Sequence, residues 1–274
     1  MPLGDLGKKV SDALAQTIKG AGDVGKSTID VVKSNLVEGL RGARDVVNEA
    51  SGLAGDTVAG AIQAASKVGG EVGQTAKGAV IGSIQAVGEV TTVTTGVISD
   101  TIRAAIKGTS EVGGDVAKVA QGAAEGALAA TKSVGVSIED TAFSVARGAI
   151  QGASDTGEDI ASVAKSTIQG AIRGTKEVGG DVIKAIFSTA RGTIKGASEV
   201  GGDLGNVARN AVEGAIDGAK GIGVSAEEAA SAAASGAVEA AGEISVTAVD
   251  TVTKAVSGTI SGIQVIIKSP FKKD

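Results

Sequence analysis

A chain of 274 residues with 43 Gly, three Phe and no Trp, Tyr, His or Cys lacks the large side chains that fill an ordinary core. Its formal charge of −5 comes from 26 basic and 31 acidic residues mixed along the whole length, without a basic block or an aromatic–basic patch, so nucleic-acid binding has no support. Apolar residues nevertheless reach 42%, too many for a disordered tail.

The first seven residues, MPLGDLG, read as an N-terminal cap, and the N-terminus lacks the apolar region of a signal peptide. Gly20 to Ser27, GAGDVGKS, satisfies the phosphate-loop pattern G-x-x-x-x-G-K-[ST]. That motif needs a buried strand before it, whereas the preceding KKVSDALAQTI has helical periodicity, so no nucleotide is expected.

From Lys8 to Phe271 the chain falls into 24 rows of eleven residues without an insertion, followed by a tail at 272–274. Rows such as KGTSEVGGDVA (from Lys107) alternate with rows such as SVAKSTIQGAI (from Ser162). Lys107–Glu139 returns as Lys195–Glu227, a shift of 88 residues that divides the rod into blocks 8–95, 96–183 and 184–271.

Column three of the rows holds only Ala, Val, Ile or Thr, and column eleven is Ile at Ile18, Ile29, Ile62, Ile84, Ile106, Ile150, Ile172, Ile183, Ile194, Ile216 and Ile260. Eleven residues make three helical turns, so these columns form one apolar stripe about 130° wide along an α-helix. Pro occurs only at positions 2 and 270, and the phase runs undisturbed through Gly pairs such as Gly113-Gly114 and Gly179-Gly180. A hairpin loop ordinarily shifts the phase of a repeat. The expectation is therefore an all-α protein made of one nearly continuous amphipathic helix, roughly 400 Å long at 1.5 Å per residue.

Such a glycine-rich helix is unstable alone, each Gly costing about 0.8–1 kcal/mol against Ala, and has to bury its stripe against a partner. Column four carries a basic edge: Lys33, Arg44, Lys77, Lys132, Lys165, Lys176, Arg209 and Lys220. Column nine carries an acidic edge: Glu38, Glu49, Glu71, Asp115, Asp159, Asp181 and Asp203. Parallel helices side by side, basic edge to acidic edge, satisfy this pattern in a homo-oligomer with a right-handed supercoil tendency. The G-x-x-x-G pairs Gly148/Gly152, Gly170/Gly174, Gly192/Gly196 and Gly214/Gly218 permit close backbone approach. Glu139 and Glu227 stand out as charges in apolar column eleven, and Phe143 and Phe187 share column four.

RGTKEVGGDV (from Arg173), DGAKGIGVSA (from Asp217) and GEVTTVTTGVISDTI (from Gly88) resemble the 11-residue repeats of synucleins and lipid-droplet perilipins, and the periodicity is that of hendecad coiled coils. The resemblance implies a helix lying on lipid. The acidic flank and negative net charge depart from the basic polar face usual in surface-lying helices. Without His or Cys, no catalytic residue, cofactor or nitrogen–sulfur metal site is expected. The sequence reading is thus a non-enzymatic, cytoplasmic structural protein that assembles with itself into a bundle, tube or fibre. A peripheral coat on a lipid surface is the alternative.

Overall fold

The computed structural model describes residues 3–18 and 24–268. Among them are twelve helices: α1 (Asp5–Ile18), α2 (Val24–Gly42), α3 (Val46–Val68), α4 (Val72–Val90), α5 (Thr95–Glu111), α6 (Val116–Val134), α7 (Ile138–Thr156), α8 (Ile160–Glu177), α9 (Val182–Glu199), α10 (Leu204–Lys220), α11 (Ala226–Gly242) and α12 (Val246–Val256). A two-stranded antiparallel hairpin follows, β1 (Gly258–Ile260) and β2 (Ile263–Val265).

The chain is all-α apart from that hairpin, with helices packed side by side, but it is not one long helix. It turns back after each helix of 11 to 23 residues. The turns follow from local chemistry. Gly69, Gly113, Gly135, Gly157, Gly179, Gly201 and Gly223 all have φ between 65° and 77°, the left-handed conformation that suits a helix C-terminus. Where a second residue folds under the helix end, its amide reaches five residues back, as in Gly114 N to Thr109 O (2.9 Å) and Gly180 N to Thr175 O (2.9 Å). Two positions after the left-handed glycine, an oxygen-bearing side chain opens the next helix: Asp115, Ser137, Asp159, Asp181, Asp203 and Ser225 each accept an amide of the first turn.

The phase argument for a continuous rod fails for a geometric reason. A helix of about 18 residues plus a turn of about four spans 22 residues, two rows of eleven, so the chain reverses without losing register. The alternation of two row types is this unit. One type carries the turn, and the other carries the middle of the helix.

Each helix packs most extensively on the helix two ahead of it, and less on its sequence neighbour. Odd-numbered helices therefore form one layer and even-numbered helices another, a helical solenoid with a 44-residue pair as its unit. The core lies between the layers. One large aliphatic residue every 22 positions, Leu40, Ile62, Ile84, Ile106, Leu128, Ile150, Ile172, Ile194 and Ile216, sits at the middle of successive helices from α2 to α10 and is at most 1% exposed. Buried threonines fit this apolar layer because their hydroxyls donate to their own helix. Thr57, Thr101, Thr167 and Thr189 bond the carbonyl four residues back at 2.6–2.7 Å.

The ends differ from the middle. At the first, the Asp56 carboxylate in α3 accepts the Gly4 and Gly7 amides at 2.7 and 2.6 Å, holding the N-terminus of α1. The expected cap at 1–7 is thus partly helix, since α1 begins at Asp5. At the other end the last turn of the repeat gives way to the hairpin, with Ser261 and Gly262 both at positive φ, as a tight two-residue turn demands. Its second strand packs on α11, where the solenoid would otherwise place a thirteenth helix. Ile260, read from sequence as part of a helical stripe, is a buried residue of β1. Phe271 and the tail at 272–274 lie outside the described residues.

Candidate interaction surface

Column nine resolves into two alternating roles. In one row type it supplies helix caps: Asp115, Asp159, Asp181 and Asp203 accept amides of Lys118, Ala161, Lys184 and Asn206 at 3.0–3.1 Å. In the other type it is the glycine of a helix–helix contact. Gly148, Gly170, Gly192 and Gly214 face the backbone carbonyls of Ser99, Gln121, Phe143 and Lys165, each 49 residues earlier on the helix two before. A methyl group on Gly214 would stand 2.6 Å from the Lys165 oxygen. The second glycine of each pair meets the same neighbour: Gly152 and Gly196 approach Ile106 and Ile150, Gly174 the Glu125 carbonyl, and Gly218 Ile172. All eight therefore line contacts between parallel helices of one chain.

The two charged edges are likewise consequences of helix ends. Glu49 lies in the first turn of α3 and Glu71 immediately before α4, while Glu38 within α2 meets Lys9 at 2.9 Å. Of the column-four bases, Lys132, Lys176 and Lys220 occupy last turns, where a positive charge faces the negative end of the helix dipole. Lys176 Nζ also donates to the Ile222 carbonyl at 3.0 Å. Arg44 is exposed in the turn before α3, and Arg209 pairs within its own helix with Glu213 at 3.4 Å. Lys33, Lys77 and Lys165, at mid-helix, reach the next helix of their layer: Lys33 to Glu89 (3.0 Å), Lys77 to Glu125 (2.8 Å), Lys165 to Asp217 (2.9 Å). Lys77 also meets Glu177 at 2.8 Å and so ties together α4, α6 and α8. Burial works to lower its pKa, and the hydrogen bonds to Glu125 and Glu177 outweigh that effect, leaving the ammonium above its ordinary value.

The most regular ionic feature uses column eight, which forms neither of the two edges expected from the sequence. Arg103, Arg147 and Arg191, 44 residues apart, cross from α5 to α7, from α7 to α9 and from α9 to α11. Arg103 grips Asp155 through two bonds at 2.5 and 2.9 Å, and Arg147 grips Glu199 at 2.8 and 3.1 Å. Arg191 reaches Glu243 at 2.6 Å and lies over the Phe143 ring, 5.8 Å from its centre, thereby spanning three helices. The recurrence of Arg every 44 residues is the signal that sequence reasoning missed. It has meaning only once the 44-residue helix pair is known to be the structural unit.

These pairs tie stability to acid. Hydrogen bonding from Arg103 holds the Asp155 carboxyl below the usual carboxylate range, and the backbone N–H of Lys118 does the same for Asp115. Both carboxyls bind protons more readily in the unfolded chain, near pH 3.9, than in the folded one. Their contribution is complete above about pH 4 and is lost as pH falls through the folded values. Thermal unfolding from pH 7 down to 2 should show a decline concentrated below about pH 4, shallower in Asp155→Asn.

Of the apolar column, Ile62, Ile84, Ile106, Ile150, Ile172, Ile194 and Ile216 are buried against helices of the same chain, whereas Ile29 and Ile183 are half-buried near helix starts. The side chain of Ile18 lies outside the described residues, as do Gly20–Asp23 of the phosphate-loop match. The remainder of that match, through Ser27, forms the first turn of α2. Glu139 and Glu227 are each the second residue of a helix, α7 and α11, where an acid suits the positive end of the dipole. Phe143 and Phe187 are half-buried at the edges between helices. Among the described residues no group of His, Cys, Asp or Glu is arranged to hold a metal ion, and no helix is long and apolar enough to cross a membrane.

Fold and surface together define a two-layer helical repeat protein. No protein-family model matches the chain, and no curated protein matches it.

Proposed function

We propose that this protein is a non-enzymatic structural scaffold, a solenoid whose rows associate within one chain and whose outer faces meet partners. The observation that carries this reading is the use of the apolar stripe. The aliphatic residues at the helix centres are buried internally, and the accessible surface, 11271 Å², is close to the ~10,600 Å² expected of a compact monomer of this mass. Large apolar residues exposed among those described are scattered: Val47, Val246 and Ile266. Stacked repeats of this kind offer long, regular surfaces suited to recognition.

Sedimentation velocity and small-angle X-ray scattering in lipid-free buffer test this reading. The expected particle is a strongly helical monomer at every concentration. Six helices per layer at 8–10 Å spacing make it about 50 Å long, against roughly 400 Å for an extended rod. Helix content that rises with concentration would favour assembly between chains through the same stripe.

A lipid-surface coat is the second reading, and one observation favours it. Because turn and helix together span 22 residues, and the turns between α2 and α12 contain no Pro, opening the solenoid would align every apolar column on one face. A coil spectrum in buffer that becomes helical on lipid vesicles would establish this reading over the first.

A further inference from the structure

Arg103, Arg147 and Arg191 each cross a groove of the odd-numbered layer to an acid 52 residues ahead. One repeat earlier the corresponding position is Ala59, and the acid 52 residues ahead is Glu111. The groove between α3 and α5 is open at this place. A cleft of about 540 Å³ runs over Gly55, Ala59, Ala104 and Gly108, with Asp100 and Glu111 on its α5 side. In the next two grooves the same place holds the side chains of Arg103 and Arg147. The bases that also border the cleft, Arg103 and Lys107, are engaged by Asp155 at 2.5 and 3.7 Å, and Asp56 is engaged by the Gly4 and Gly7 amides.

Taking the chain as the scaffold proposed above, we propose that this cleft docks an arginine side chain of a partner polypeptide. Its stem lies over Gly55 and Ala59, and its guanidinium takes toward Glu111 the place that Arg103 takes toward Asp155. The chain displays the occupant three times in its own later repeats. Two of these grip the carboxylate with paired bonds, a geometry that a guanidinium fork satisfies and an ammonium does not. The volume exceeds one side chain, so the partner's flanking residues enter as well, as in other recognition clefts of roughly 300–1,000 Å³.

The test is calorimetric titration of the full chain, at low salt, with acetyl-Gly-Arg-Gly-amide, its neutral citrulline counterpart and spermidine. The arginine peptide should saturate one site, and citrulline should bind at least about tenfold more weakly, as loss of a charge-assisted hydrogen bond implies. Glu111→Gln should weaken the arginine peptide by a similar factor. Ala59→Arg, which fills the cleft from within, should abolish binding and raise the melting temperature. Circular dichroism of both variants establishes that they are folded. Absence of saturation, undiminished binding to folded Ala59→Arg, or spermidine binding equally to all three proteins would overturn the proposal. The scaffold reading is decided separately, by the monomer's sedimentation and shape.

Discussion

Replacing Gly170 by alanine should destabilise the protein by about 2 kcal/mol, although the same change ordinarily strengthens a helix. Gly170 lies in α8 against the Gln121 carbonyl of α6, and an added Cβ would enter that oxygen. A backbone carbonyl cannot rotate away as a flexible side chain can, so α6 and α8 have to part along their length. The resulting loss of packing exceeds the ~1 kcal/mol that alanine gains over glycine in a helix interior. Gly52 in α3 is the control, having nothing within 4 Å of where its Cβ would stand. Gly52→Ala should stabilise by about 0.5–1 kcal/mol. In thermal unfolding, at about 2–4 °C per kcal/mol for a chain of this size, the first variant should melt about 4–8 °C lower and the second slightly higher. If both variants melted higher, the close contact of α6 with α8 would be refuted.

Ile172→Asp should have the largest effect of any single change considered, and its comparison with Ile183→Asp distinguishes a solenoid from a continuous rod. Both residues stand in column eleven, so along one uninterrupted helix they would be equivalent. In the folded chain Ile172 is fully buried at the middle of α8, while Ile183 is half-buried as the second residue of α9. At Ile172, losing the aliphatic side chain costs about 2–5 kcal/mol, and an unpaired buried carboxylate adds several more. The sum approaches the whole stability of a typical domain, about 5–15 kcal/mol. Ile172→Asp should therefore lose most of its helical circular dichroism at 25 °C, and higher protein concentration should not restore it. Ile183→Asp should lose at most about 2 kcal/mol, since an aspartate in a first turn gains from the helix dipole. Equal losses in the two variants would refute the 22-residue unit.

Much of the helix chemistry is legible in the order of the residues. The apolar columns, the glycines spaced for close approach and the alternation of two row types all follow from side-chain identity and the 3.67-residue turn. The acids of column nine form an equally plain pattern, but one whose meaning is not an edge. Asp115, Asp159, Asp181 and Asp203 are acidic because they open helices, and Lys132, Lys176 and Lys220 are basic because they close them. The left-handed glycines two positions before those caps are the other half of the signal. Gly113, Gly157, Gly179 and Gly201 each stop a helix just ahead of an Asp that starts the next.

By itself the sequence determined that the chain is helical, that one stripe has to be buried, and that glycine permits backbones to meet, because propensity, periodicity and steric size are local properties. The tertiary structure decided what the stripe meets. A turn that completes two rows of eleven leaves the pattern of a continuous helix and that of a folded-back one identical in phase, so periodicity could not separate them. The choice rests on contacts between residues 49 and 52 positions apart, such as Gly170 on Gln121 and Arg103 on Asp155, which exist only once the helices lie side by side.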